Sequence, residues 1–446
     1  MIMDMKNMLV GYGRADITPD RPAPMAGYGT ASKRLHETVL DPLYATCVAI
    51  TDDQDNTLLL FSQDIIRSHK DYVEAVSVVL KKELGVPKEN LIISGTHSHS
   101  TPDIGGTLPT DSWYYEIYER GILEAAKAAM ADRKEAQIWI GRGEVKGMNF
   151  VRHYVQEGGL YCGANFGYYD AAPIIGHCSD ADPQFQAIKF VREDKKDILM
   201  LNWQAHACIT SGMWKTDLSA DYIADLRAYI EKEMNVDFIY FQGAAGNLVT
   251  KSRIPEEMSY DPAKDVYGAE VAKQVIPQLK DMRRVNGGAV RTTRAVHTHP
   301  VNHTEDHLVE AAKEVSAFWK ETNDNKRSKK FAEERGINSI YHAAAIIRKA
   351  GMTEAPPIHI SVASAGDISF ACAPYEMFCD NGIEIKEGTP YEMTFVNGYC
   401  NGSGGYLPTR RAFEYSCYEA NTTNYAPGIG EALAERFVEM LKEIKG

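Results

Sequence analysis

Short apolar runs alternate along this chain with stretches whose apolar positions recur every three or four residues. "YATCVAIT" (44–51) and "TLLLFSQD" (57–64) predict neighbouring strands joined by the turn-rich "DDQDN". Residues 71–84 place Val73, Val76, Leu80 and Leu84 at helical spacing. "LIISG" follows as a buried strand. A helix is predicted over 114–131, strands over 136–145, 185–192 and 197–205, a helix from about 219 to 234, and the strand "FIYFQG" at 238–243. This alternation predicts an α/β fold, with central mixed β-sheets covered by helices.

Residues 305–350 break the pattern. They are highly charged and helical in composition, which predicts an inserted helical segment with a solvated face. Strands resume at 357–363 and 367–372. An amphipathic helix bearing Leu433, Phe437, Met440 and Ile444 closes the chain. There is neither a repeat nor a clear linker, so residues 1–446 are read as one catalytic domain carrying that insertion.

Composition narrows the function. The formal charge is -13, which excludes nucleic acid as a main partner because phosphate binding needs a basic surface. There is no run of eighteen apolar residues, so a transmembrane segment is not expected. The eight cysteines form no CxxC pair, which favours free thiols over a disulfide framework. The N-terminus has no basic region followed by a long apolar core, and a cytoplasmic protein is expected. A homo-oligomer is left open.

Candidate chemistry begins at "THSHS", where the strand "LIISG" gives way to His97 and His99. Alternate residues of a strand share a face, so the two imidazoles are expected to project together from the strand's C-terminal end, where α/β sheets bind ligands. Neutral imidazole suits zinc, but two ligands do not complete a site. "LNWQAHACITSG" ends another apolar run with His206, and "ISFACAPYEMF" ends a third with Glu376. Two histidines and a carboxylate with one open position form a known catalytic zinc set. The denser tract "HTHPVNHTEDH" (297–307) is expected to be exposed rather than ligating. "FQGAAGNLVTK" (241–251) fits neither phosphate-loop spacing, and its glycines imply a tight backbone approach beside the site.

Taken in order, these pieces resemble the neutral/alkaline ceramidase family. "VGYGRADITPDRPAPMAGYG" (10–29), "THSHSTPD", "NFVR" (149–152), "HAC" near 206, "YEMF" near 376 and "GYLPT…YEA" near 406 follow the family's succession of motifs. The resemblance implies a Zn2+ site made by His97, His206, Glu376 and Tyr406. It implies catalytic roles for His99, Arg152 and Tyr418, and substrate contact at Gly27 and Asn247. It also implies hydrolysis, by a zinc-activated water, of an amide in a small-molecule N-acyl substrate, ceramide-like or smaller and more polar. Zinc chemistry on an ester or sugar derivative, and a non-catalytic metal- or carbohydrate-binding relative, are the alternatives.

Two departures bear on substrate. Where the family carries a hexapeptide of glycine, aspartate, valine, serine, proline and asparagine, this chain reads "GNLVTK", with Val249 in the serine's place. The β-sandwich domain that usually follows the family's catalytic domain has no counterpart in these 446 residues. The polar residues Arg152, His153, Tyr154, His177, Asp180 and Asp182 are expected near the site, where they would suit a hydrophilic substrate.

Overall fold

A computed structural model describes residues 5–28, 34–163, 172–212, 214–258, 260 and 263–446. Two sheets lie face to face, with helices covering both outer faces. The larger sheet has nine strands, ordered Asp237–Gln242, Ile198–Trp203, Gln184–Arg192, Lys134–Glu144, Met8–Asp16, Tyr44–Thr51, Thr57–Gln63 and Leu91–Gly95; Arg283–Val285 also pairs with Lys134–Glu144. Neighbours are antiparallel except at the two ends, where Ile198–Trp203 runs parallel to Asp237–Gln242 and Thr57–Gln63 parallel to Leu91–Gly95. The smaller sheet is Val290–His297, Ile358–Ala365, Ile368–Cys372 and Met393–Asn397.

The apolar runs are continuous because both faces of their strands are covered. Cys47, Ala49, Leu59, Phe61 and Ile93 pack under the helices Lys70–Leu84 and Trp113–Asp132. The intervening Val48, Ile50, Leu58, Leu60 and Ile92 point the other way, onto Ala363, Ile368, Phe370 and Phe395 of the smaller sheet. The outer face of the smaller sheet, with Ile360, Val362 and Val396, packs on Leu433, Phe437, Met440 and Leu441 of the helix Ile429–Lys445. A third cluster seats the helices Tyr222–Met234 and Lys264–Gln278 on Leu199, Leu201 and Phe238.

The mixed α/β expectation therefore holds, and element positions agree within a few residues. Helix 219–234 starts at Tyr222, where Asp221 caps it and accepts from the Tyr222 amide at 2.9 Å. Four strands of these two sheets have no counterpart in the sequence reading: Met8–Asp16, Arg283–Val285, Val290–His297 and Met393–Asn397. Met8–Asp16 sits mid-sheet inside the motif-bearing N-terminal stretch, and Val290–His297 runs into the histidine-rich tract. Residues 305–350 form three helices, Val309–Thr322, Asn325–Glu333 and Ile340–Ala350, with a small core of Ala312, Val315, Ala332, Ile337, Ala343 and Ile346. Among the described residues no helix is long and apolar enough to cross a membrane, and all eight cysteines are free.

The feature that builds the site is a stitch between the ends of the larger sheet. Gln242 donates its side-chain amide to the Thr96 carbonyl at 3.3 Å, joining the two terminal strands. Residues 398–401, leaving the smaller sheet, then bond to both. The Gly398 amide donates to Gln242, the Gly95 amide to the Tyr399 carbonyl, and the Asn401 amide to Ile93. The ends of three strands, at Gly95, Gln242 and Asn397, are thereby brought to one place.

Candidate metal centre and active site

His97 follows the strand Leu91–Gly95, but not as a continuation of it. Its φ is +66°, a left-handed conformation that a non-glycine residue seldom holds without surrounding support. The His97 amide donates to the Ile65 carbonyl and the His99 amide to the Ala207 carbonyl, both at 3.0 Å. The two imidazoles do meet, with ring centroids 4.8 Å apart, but a turn brings them together rather than the strand pleat expected from the sequence. Tyr399, also at positive φ (+59°), stacks on the His97 ring at 3.9 Å between centroids. Stacking and backbone bonds together hold that strained residue.

The ring nitrogens show which atoms are available. His97 Nδ1 lies 2.8 Å from the Ile66 carbonyl, and His206 Nδ1 lies 2.8 Å from the Ala245 carbonyl. A carbonyl only accepts, so each Nδ1 carries the proton and each neutral ring keeps its lone pair on Nε2. Those two Nε2 atoms are 3.2 Å apart, and each is 3.4 Å from Glu376 Oε2. Glu376 Oε2 is buried and finds no hydrogen-bond donor among the described residues. Three acceptors thus converge with no proton between them, an arrangement that costs free energy unless a cation sits among them. His99 Nε2 lies 3.2 Å from His97 Nε2, and His97, His99 and His206 form a group whose ligating atoms all fall within 4.8 Å of one another. The donor set therefore fits a divalent transition metal.

Burial, reinforced by the positive charge of Arg152, pushes the His206 imidazole down to about 4. Burial and then His97 and His206 push His99 well below its ordinary value. Glu376 is held low: burial alone would raise it, but His97 and His206 outweigh that. These directions describe rings kept neutral and a carboxylate kept ionised, the protonation states that metal ligation requires.

The second half of the set arrives on a two-residue parallel bridge, in which Glu376 pairs with Tyr406 and Met377 with Leu407. Tyr406 therefore stands beside Glu376. Its phenol is raised well above the ordinary value, first by burial and then by the Glu376 charge. Tyr418 opens the short helix Tyr418–Thr422 and meets Tyr406 edge-on at 5.8 Å. Arg152 lies 5.5 Å from the Tyr406 ring centroid and donates through Nη2 to the Gly246 carbonyl at 2.7 Å.

A cleft of about 740 Å3 opens onto this centre, lined by His97, His99, Glu376, Tyr399, Tyr406 and Tyr418. Gly27 lines it too, at φ +114°, where a Cβ would stand 2.8 Å from His99 Nδ1. Glycine is the residue that lets this backbone pass over the His99 ring. Gly246, in the glycine-rich turn, is equally constrained, since a Cβ there would lie 2.4 Å from the Glu376 carbonyl oxygen. The tight approach beside the site expected from "FQGAAGNLVTK" is thus present.

Three other expectations meet a different geometry. The Asn247 side chain does not line the cleft. It accepts from the Cys379 amide at 2.8 Å and donates toward Asp380 at 3.3 Å, fastening the start of the helix Cys379–Gly388. Arg152 is buried behind Tyr406 and borders a smaller cavity of about 270 Å3 that shares Tyr418 with the cleft. Of the polar residues expected around the substrate, His177 pairs with Glu257 at 2.8 Å and Asp182 with Lys386 at 2.7 Å, both away from the cleft. The polar side chains that do line it are Arg34, Arg67, Asp103, Thr107 and Ser403. No motif marked Arg34, Arg67, Thr107 or Ser403. Asp103, next to Pro102 in "THSHSTPD", was the one within reach of a motif reading. In the histidine-rich tract, His299 lies 3.1 Å from the Ala426 carbonyl and His303 lies 3.0 Å from Asp306, each with a partner of its own.

Fold and site together define an α/β sandwich with a histidine- and carboxylate-lined cleft at its strand ends. A sequence model of the neutral/alkaline non-lysosomal ceramidase N-terminal domain matches residues 8–250, more than half of the chain. The chain belongs to the neutral/alkaline non-lysosomal ceramidase family. The likeness extends to the whole fold. The neutral ceramidase from Pseudomonas aeruginosa superposes over 99% of this chain and 75% of its own, at 17% identity and a TM-score of 0.72. A ceramidase complexed with C2 does so over 99% and 76%, at 16% identity and a TM-score of 0.71. The likeness in fold therefore includes residues 251–446, beyond the segment the family model matches.

Proposed function

We propose that this protein is a zinc-dependent amidohydrolase acting on a small polar N-acyl compound. The carrying observation is the convergence of His97 Nε2, His206 Nε2 and Glu376 Oε2 within 3.4 Å, with both Nδ1 protons committed elsewhere. His97, His206, Glu376 and Tyr406 would hold the ion. A zinc ion so held supplies a water that ionises near pH 7.

The chain's own groups do the remaining work. Tyr418, on the cleft wall, donates its hydroxyl to the carbonyl oxygen as charge builds there. The buried Arg152, paired with Glu419, lies against the Tyr406 ring and orients it beside Glu376. His99 Nε2 takes a proton from the attacking water and returns it to the leaving nitrogen, the ordinary duty of a positioned imidazole. Val249 lies in a two-residue bridge with Phe150, and none of these steps calls on a side chain there.

The cleft lining favours a polar substrate over a two-chain lipid. Burying an acyl chain returns about 0.8 kcal/mol per methylene only against apolar walls. Here Arg34, Arg67, Asp103, Thr107 and Ser403 share the lining with Met25, Leu35 and Ile66. Arg67 Nη2 stands 3.6 Å from Asp103, and its buried Nε finds no partner among the described residues. Asp103 also accepts from the Thr107 amide and hydroxyl, so this part of the cleft wall is charged and polar.

The test is to load the purified protein with one equivalent of zinc and offer N-acetyl amino sugars, N-acyl amino acids, short-chain ceramide, esters and glycosides. Release of an amine from the polar amides is the expected result. Turnover of esters or glycosides with no amide cleaved would overturn the amidohydrolase reading. A preference for ceramide would overturn the polar one.

A further inference from the structure

One buried carboxylate near the site, Glu419, takes no direct part in the chemistry above. Glu419 follows Tyr418 on the same short helix and is fully buried. Its Oε1 lies 2.5 Å from Arg152 Nη2 and its Oε2 lies 2.7 Å from His153 Nε2. Glu419, His153 and Cys417 bring possible ligand atoms within 4.8 Å of one another. A second metal there is disfavoured, because each Glu419 oxygen already serves a nitrogen and one of those belongs to a guanidinium.

The pair bears instead on the first centre. Arg152 Nη2 donates to the Gly246 carbonyl and forms an ion pair with Glu419 Oε1. The Arg152 amide donates to the Asn247 carbonyl at 2.9 Å, so backbone and side chain are both anchored. The anchored cation stands 5.5 Å from the ring of Tyr406, which pairs in register with Glu376. A bare guanidinium at that depth would repel a divalent ion among His97, His206 and Glu376, with little water to screen it.

We propose that Glu419 is a positioning residue for the metal centre: it holds the Arg152 guanidinium in place and cancels its charge, so that a buried cation can stand beside a cation-binding set. The proposal rests on the zinc reading above.

The experiment measures zinc affinity by chelator competition in the wild type, Glu419→Gln, Arg152→Met and the double variant, with each fold checked by circular dichroism. Glu419→Gln leaves the guanidinium uncompensated, and zinc affinity is expected to fall at least tenfold. Adding Arg152→Met removes the stranded charge, and affinity is expected to return to within threefold of the wild type. A merely structural carboxylate predicts the reverse, with the double variant no better than Glu419→Gln. That result, or wild-type affinity in Glu419→Gln, overturns the proposal. Should Glu419→Gln fail to fold, the double variant decides alone: a folded, zinc-tight protein supports the charge argument, and a folded, zinc-weak one refutes it. Absence of zinc binding by the wild type would instead sink the zinc reading, and this proposal with it.

Discussion

The Nε2 atoms of His97 and His206 face each other 3.2 Å apart, and neither carries the proton that a hydrogen bond between them would need. Each ring is locked in one tautomer by a backbone carbonyl, which pre-sets its lone pair for a metal. His99 differs, since its buried Nδ1 has no partner among the described residues to fix its tautomer. His97→Ala and His206→Ala are therefore expected to drop zinc from one equivalent to about a tenth or less, as loss of a ligand from a four-coordinate site does. His99→Ala should keep its zinc and lose most of its activity. Elemental analysis beside an amide-cleavage assay checks both. Zinc retained in either of the first two variants would show the centre to be misplaced.

Gly246 carries a second prediction. The Cβ of Gly246→Ala would meet the Glu376 and Met377 carbonyl oxygens at 2.4 and 2.8 Å, and these are backbone atoms that cannot swing aside. The strand end bearing Glu376 must shift. A stability loss of about 1–3 kcal/mol is expected from the overpacking, with zinc affinity reduced at least tenfold. Urea denaturation of the metal-free protein and chelator competition separate the two effects. Unchanged zinc affinity in a destabilised variant would mean that Glu376 is placed independently of this turn.

Tyr399 carries a third. Its ring stacks on His97, while its buried hydroxyl finds no partner among the described residues. Tyr399→Phe removes a polar atom that makes no visible bond, and stability should stay within about 0.5 kcal/mol or rise slightly. Tyr399→Ala removes the support under His97 and is expected to cost about 3–5 kcal/mol, along with most of the zinc affinity. Thermal melts of the metal-free variants give the first numbers. A large loss in Tyr399→Phe would reveal a role for the hydroxyl that the stacking argument omits.

Tyr399 also marks the limit of what the sequence could say. His97, His206 and Glu376 were legible because each ends an apolar run, and strand ends are where α/β sheets place chemistry. Tyr399 lies in "NGYCNG", a turn-like stretch with no periodicity to mark it, and its role depends on two sheet ends meeting at residues 398–401. Asn247 shows the opposite failure. A motif position pointed to the substrate, but the side chain was needed to fasten the helix that follows Glu376. Arg152 was found by its motif, while its depth behind Tyr406 and its bond to Glu419 depend on long-range packing that local pattern does not carry. The strand Met8–Asp16 was not legible because Gly11 and Gly13, required where the backbone of the helix Trp113–Asp132 presses on it, break its apolar alternation.

The charged segment 305–350 supplies the last prediction. Glu305 accepts from His342 Nε2 at 2.7 Å and from Lys349 Nζ at 3.0 Å, and Lys349 also donates to the Asn421 carbonyl at 3.2 Å. This joint ties the helix Ile340–Ala350 to the short helix that carries Tyr418 and Glu419. Burial alone would raise the Glu305 carboxyl, but His342 and Lys349 outweigh it and hold the group down to about 2. In the unfolded chain it would titrate near 4.3. Above that pH both states are ionised, and the ionised Glu305 makes its full contribution to stability. Between about 4.3 and 2 the unfolded state takes up its proton first, and the contribution is progressively lost as pH falls. Glu305→Gln removes that dependence, so the difference in stability between wild type and variant should be largest above pH 5 and should shrink toward pH 2. Hydrogen exchange in 340–350 should quicken in the variant at neutral pH. Parallel stability curves from pH 5 to 2, with unchanged exchange, would show that Glu305 does not fasten this segment beside the site.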